Sequence, residues 1–208
     1  MVKKKRRRKR PHGKRFRLLI YEQMWRRWAL PLILIVPASI ALWWSAPHLL
    51  ITNDLYRALA LVPAVAAVAI LLLAYLSRRR AWVQCRHDHI RIQSPTFPLI
   101  ISYSRVKEVK PGSFADIFDP AKEKAARRNW LGPYWGKTAL VMQISKYPIT
   151  KFWLRLWFSP YVLLPDAAGF VFLVEDWMAL SRQIDDYRTA WETRRAKLRQ
   201  RKLERQAW

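Results

Sequence analysis

"WALPLILIVPASIALWWSAP", residues 28–47, is almost entirely apolar. From Ala29 to Ala46 it runs 18 residues without a charge. A helix needs about 20 apolar residues to cross roughly 30 Å of hydrocarbon. Trp25 and Trp28 stand at one end of the run and Trp43 and Trp44 at the other. Indole rings favour the level where hydrocarbon meets headgroups, so the four tryptophans read as two interfacial belts. Pro31 and Pro37 would break a short soluble helix, but membrane helices tolerate proline better.

A second uncharged run follows, "ALALVPAVAAVAILLLAYL", residues 58–76, with Pro63 near its start. Two such runs are hard to bury in a chain of 208 residues, which disfavours the competing reading of a helical hairpin inside a soluble core. The connection between them, "HLLITNDLYR", centres on Asn53 and Asp54 and is short enough to make the helices antiparallel neighbours. Arg57 can snorkel or pair with Asp54 one turn away, and His48 reads as a loop-end side chain.

Charge gives the orientation. Lys and Arg number 39 against 14 Asp and Glu, a formal net charge of +25. Thirteen of these cations lie in residues 1–27, and "SRRR" (77–80) closes the second run. The positive-inside rule then holds both termini of a multi-pass chain in the cytoplasm. A cleaved signal peptide fits poorly, because the basic region is very long and a second apolar run follows. "KKKRRRKR" at residues 3–10 reads as part of a disordered arm, residues 1–27, lying along the anionic leaflet. Each such charge is worth about 1 kcal/mol near the surface. A nuclear address or an RNA-binding arm is the competing reading.

From residue 81 the period becomes two. In "AWVQCRHDHIRIQS", Val83, Cys85 and His87 alternate with Gln84 and Arg86, and Ile90 and Ile92 alternate with Arg91 and Gln93. This predicts a β-hairpin turning at "HDH". "FPLIISY" and "RVKEVKP" read as third and fourth strands, and "TALVMQIS" as another. "KFWLRLWF" (151–158) also alternates, with Phe152, Leu154, Leu156 and Phe158 on one face, and "YVLLP" reads as a last short strand. Aromatics on both faces of "KFWLRLWF" suggest that one is covered by a partner or by lipid. Between strands, Asp119 and Pro120 predict the start of a helix reaching about Asn129. A stripe of Phe170, Leu173, Val174, Trp177, Leu180, Ile184, Tyr187 and Trp191 predicts a long amphipathic helix. Its basic continuation either stays helical or frays.

Two apolar spans, then "WVQCRHDHIRIQS", "ISYSRVKEVKP" and "PYVLLPD" leading into "LVEDWMALSRQI", resemble bacterial membrane proteins carrying a pleckstrin-homology-like (PH-like) domain, over roughly residues 16–190. The resemblance implies a partly open antiparallel β-barrel or sheet capped by a C-terminal amphipathic helix. It implies a tethered binding or assembly module with no catalytic residues to transfer. Asp116–Gly136 departs from it as an insertion. Phosphoinositide-binding PH domains use a long basic loop between their first two strands; "HDH" in that place argues against such binding.

Catalytic and metal signatures are sparse. His87 and His89 flank Asp88, but no third ligand is evident. Cys85 is the single cysteine, so no disulfide forms within the chain, and its strand position predicts a buried, inert thiol. No G-x-S-x-G elbow or phosphate-cradling glycine loop is present, and Asp185 and Asp186 fall on an outer helix face. The sequence therefore divides into a basic arm (1–27), a transmembrane hairpin (28–77), a PH-like domain (78–191) with its insertion (116–136), and a basic tail (192–208). Arg26, Arg27, Arg78, Arg79 and Arg80, with the four tryptophans, form the expected lipid interface. Lys122, Lys124, Arg127, Arg128, Trp130 and Trp135 form a candidate surface for a protein partner, a second copy or nucleic acid. No cofactor and no small-molecule substrate is expected.

Overall fold

The computed structural model describes residues 12–45 and 58–206. The "KKKRRRKR" stretch, and His48, Asn53, Asp54 and Arg57, lie outside the described residues.

The first strand precedes the first apolar run. β1 (Arg15–Arg17) pairs antiparallel with β2 (Trp82–Cys85), Phe16 opposite Val83. The expected arm therefore ends early. Phe16 turns into the core between two outward arginines, and Leu18 to Tyr21 are buried after it. Between β1 and β2 the chain makes two helices, α1 (Leu19–Ser45) and α2 (Val62–Arg80). Both are long and apolar enough to cross a membrane. α1 starts nine residues before the expected span and continues through Pro31 and Pro37; Pro63 sits in the first turn of α2, where its missing N–H costs nothing. α2 turns Ala64, Ala67, Ala74 and Ser77 toward α1. Small side chains let two helix backbones approach closely.

β3 (His89–Gln93) and β4 (Pro98–Ser102) complete a four-stranded sheet in the order β1-β2-β3-β4. The hairpin read from the alternation is present: Val83, Cys85, Ile90 and Ile92 are fully buried, and Cys85 opposes Ile90. "HDH" nevertheless joins the second and third strands, and the loop between the first two holds the helices. β5 (Val106–Ser113), β6 (Thr138–Ile144) and β7 (Gly169–Phe172) form a second antiparallel sheet. Pro111 is tolerated because β5 is an edge strand. The two sheets share one hydrophobic core but close no barrel.

Four further expectations are corrected. The helix of the 116–136 segment is α3 (Ala125–Leu131); Asp119 instead closes a turn, accepting from the Ala121 N–H at 2.9 Å. "KFWLRLWF" is a helix, α4 (Lys151–Trp157), with Leu154 alone buried in it. "YVLLP" makes one turn and a single bridge, Leu163 to Phe170. "GFVF" is strand β7, so the last helix, α5, runs Trp177–Gln206, capped by Asp176 accepting from the Ala179 N–H at 2.9 Å. α5 buries Leu180 and Ile184, half-buries Tyr187 and Trp191, and stays helical through the basic tail to Gln206.

Candidate membrane interface

The bases of α1 and α2 are fixed to each other and to the sheets. Arg78 pairs with Glu22 at 3.3 Å across the helices. Trp25 meets the Tyr75 ring edge-on at 5.7 Å, and the Arg79 guanidinium lies 4.6 Å above that ring. Arg26, Arg27 and Arg80 are exposed around this base. Trp28 is exposed, while Trp43 is half-buried and Trp44 is 72% exposed at the far end of α1. At about 1.5 Å per residue, the rise from Trp25 to Trp44 is roughly 28 Å, close to the thickness of a bilayer's hydrocarbon. Only 11% of the most apolar window of α1 and 17% of that of α2 is buried within the molecule, unlike the core helix of a soluble protein.

Below the arginines, three hydrogen bonds clamp the helix base. Tyr134 Oη donates to the Leu19 carbonyl at 2.8 Å, and the Leu19 N–H donates to the Leu173 carbonyl at 2.9 Å. The Ser159 N–H donates to Tyr21 Oη at 3.0 Å. Gln23 Nε2 adds a longer bond to the Trp130 carbonyl, 3.3 Å. Burial pushes the Tyr134 phenol up to about 12, with the nearby Glu22 charge adding to it, so it stays protonated and able to donate.

The candidate partner surface of the 116–136 segment divides. Lys122, Lys124, Arg127 and Arg128 are exposed, with Lys122 3.7 Å from Asp119. Trp130 packs toward Tyr161 at 6.0 Å and Trp135 toward Phe114 at 5.5 Å. The tryptophans serve the core and the helix clamp, so the outward surface here is cationic, with half of each indole withdrawn from it.

Two further surfaces stand out, the first unread from the sequence and the second foreseen there only as a strand with one face covered by a partner or by lipid. The first is the outer face of the four-stranded sheet. Arg15 and Arg91 flank the Trp82 ring at 4.5 and 5.4 Å, with Arg17, Arg86, His89 and His12 nearby. Arg86 Nε, Arg91 Nε and His89 Nε2 are buried without hydrogen-bond partners among the described residues. Burial holds the His89 imidazole below its ordinary value; the Arg86 charge adds to this and Asp88 opposes it. The strand register could have found this face, since Arg15, Gln84 and Arg91 lie in one row. The second feature is α4, whose Phe152, Trp153, Leu156 and Trp157 are 77%, 51%, 61% and 37% exposed.

Among the described residues no group of three His, Cys, Asp or Glu is placed to hold a metal ion. His87 Nδ1 hydrogen-bonds the adjacent Asp88, and Arg194 donates to the His87 carbonyl. Cys85 is buried. No family model, curated protein or solved structure matches this chain.

Proposed function

We propose that this chain is an integral protein of a bacterial inner membrane, whose PH-like domain acts as a non-catalytic binding and assembly module at the cytoplasmic leaflet. One observation carries the reading. Two long apolar helices, scarcely buried in the molecule, leave adjacent strand ends side by side with a ring of arginines at their base. Arginines and aromatics at that level suit anionic headgroups. Four strands, three strands and one C-terminal helix, in that order, support the PH-like assignment, with the helical hairpin placed in the β1–β2 connection. The protein then resists alkaline carbonate extraction. Affinity capture from native membranes tests the assembly role. A partner should survive removal of residues 1–11 and 192–208, and be lost with Ile100→Asp, which changes an exposed position on β4. Loss on removing the tails alone sinks it.

A second reading, binding of nucleic acid or a ribosome at the membrane surface, is favoured by the Arg15–Trp82–Arg91 stack and the basic half of α5. An aromatic ring between guanidinium groups suits single-stranded bases and phosphates. Binding of that kind weakens steeply as salt rises. Arg15→Ala combined with Arg91→Ala would reduce the slope of affinity against salt.

A further inference from the structure

We infer that α4 is a third membrane contact: it lies in the headgroup layer of the leaflet nearest the domain, with Phe152 and Leu156 reaching the acyl chains. The inference rests on the two-span reading above. Four large apolar side chains exposed on a seven-residue helix need a cover. Two separate ties fix the C-terminal end of α4. Just past its C-terminal end, the Ser159 N–H meets Tyr21 Oη, one turn from Trp25. Trp157 stacks on Phe97 at 6.1 Å and 21°. Phe97 lies in the β3–β4 turn, and the register Trp82–Gln93–Pro98 puts that turn at the sheet end from which α2 and its three arginines depart. The C-terminal end of α4 therefore sits near the level of Arg78 to Arg80.

The composition selects lipid as the cover. Lys151 and Arg155, one turn apart, are exposed on the same helix, and Arg127 lines the groove beside them. Cations flanking an apolar and aromatic face are the signature of a helix lying in an anionic interface. A protein interface would have to bury those cations or pair them. Phe97, Ile149, Trp153, Leu154 and Trp157 line an almost wholly apolar groove of about 300 Å³. It is suited to a lipid chain rather than to a polar ligand.

The test uses the full chain in vesicles of phosphatidylcholine and phosphatidylglycerol, at no more than one protein per vesicle. An environment-sensitive fluorophore is attached at Phe152→Cys, or at Thr189→Cys on the exposed side of α5 as a reference. Cys85 is buried and stays unlabelled. At Phe152→Cys the emission should shift to the blue. Quenching by nitroxides on the acyl chains should be severalfold stronger than at Thr189→Cys, and quenching by iodide on both sides severalfold weaker. Equal iodide quenching at the two positions overturns the inference. Shielding from both quenchers also overturns it, since a second copy or a partner would then cover the helix. Vesicles washed in carbonate separate the two claims. Retained protein with a water-exposed label sinks the α4 contact alone, and protein that washes off sinks the two-span reading with it.

Discussion

Cys85 points inward from β2 with no accessible surface, and burial pushes its thiol up to about 12. The thiolate is the reacting species, so at pH 8 almost none is available and the site is closed to reagents as well. A maleimide should leave the native protein unmodified at pH 8 and add one equivalent after denaturation, read by intact mass. Native labelling would mean that β2 does not face the core. Tyr134 works in the other direction, outward from the 116–136 segment to the base of α1. Tyr134→Phe deletes the hydroxyl that donates to the Leu19 carbonyl while keeping the ring's packing. A net hydrogen bond of this kind is worth about 1 kcal/mol. Thermal unfolding in detergent should show a loss of that order, with the helix content unchanged.

At the scale of elements, close approach sets the tolerances. A Cβ on Gly169 would come 2.7 Å from the Met142 carbonyl oxygen across the β6–β7 ladder. Backbone cannot yield cheaply there, so Gly169→Ala should cost about 1–3 kcal/mol, seen as an earlier denaturation midpoint. The helix pair has the same sensitivity. Ala74 is wholly buried, and its neighbour Leu73 is 47% exposed. Ala74→Leu should separate α1 from α2 and destabilise the hairpin by about 1–3 kcal/mol, while Leu73→Ala changes little, measured by unfolding in mild detergent. The same contrast explains which elements could be read from the sequence. β3 alternates cleanly because one face is buried and the other carries arginine and glutamine; β2 alternates in residue type but buries Gln84 along with Val83 and Cys85. "KFWLRLWF" also alternates, yet its two cations stand four apart and share a helix face; aromatics on every side masked that signal. "GFVF" is buried at all four positions, so it showed no alternation and merged into the stripe of α5. β1 is three residues long and is defined only by its distant pairing with β2, which no local pattern encodes. The arginines and tryptophans at the helix base were legible from charge and spacing; the clamp through Tyr134, Tyr21 and Ser159 depends on contacts that span more than a hundred residues.

For the whole molecule, the pairing of β1 with β2 constrains topology independently of charge. The strand before α1 and the strand after α2 are hydrogen-bonded neighbours, and both ladders feed one core. If the helices cross a bilayer, they must therefore cross as a pair, returning the chain to the side it left. A single crossing would pull Phe16 out of a core that buries it, and would strand the β1 edge of β2 without its partner. The charge rule says which side that is: arginines at 26, 27, 78, 79 and 80 all lie at the sheet end of the pair. Two variants, each with one added cysteine, decide it in intact bacterial spheroplasts, with Cys85 left in place as the buried thiol. Asn53→Cys, in the sequence between the helices, should react with a membrane-impermeant maleimide added outside. Ser104→Cys, exposed between β4 and β5, should react only after the membrane is opened. Reaction of Ser104→Cys from outside, with Asn53→Cys protected, would keep the paired crossing and reverse its orientation. Equal reaction of both without permeabilisation would mean that the helices do not cross, and their apolar surface would then need a protein cover.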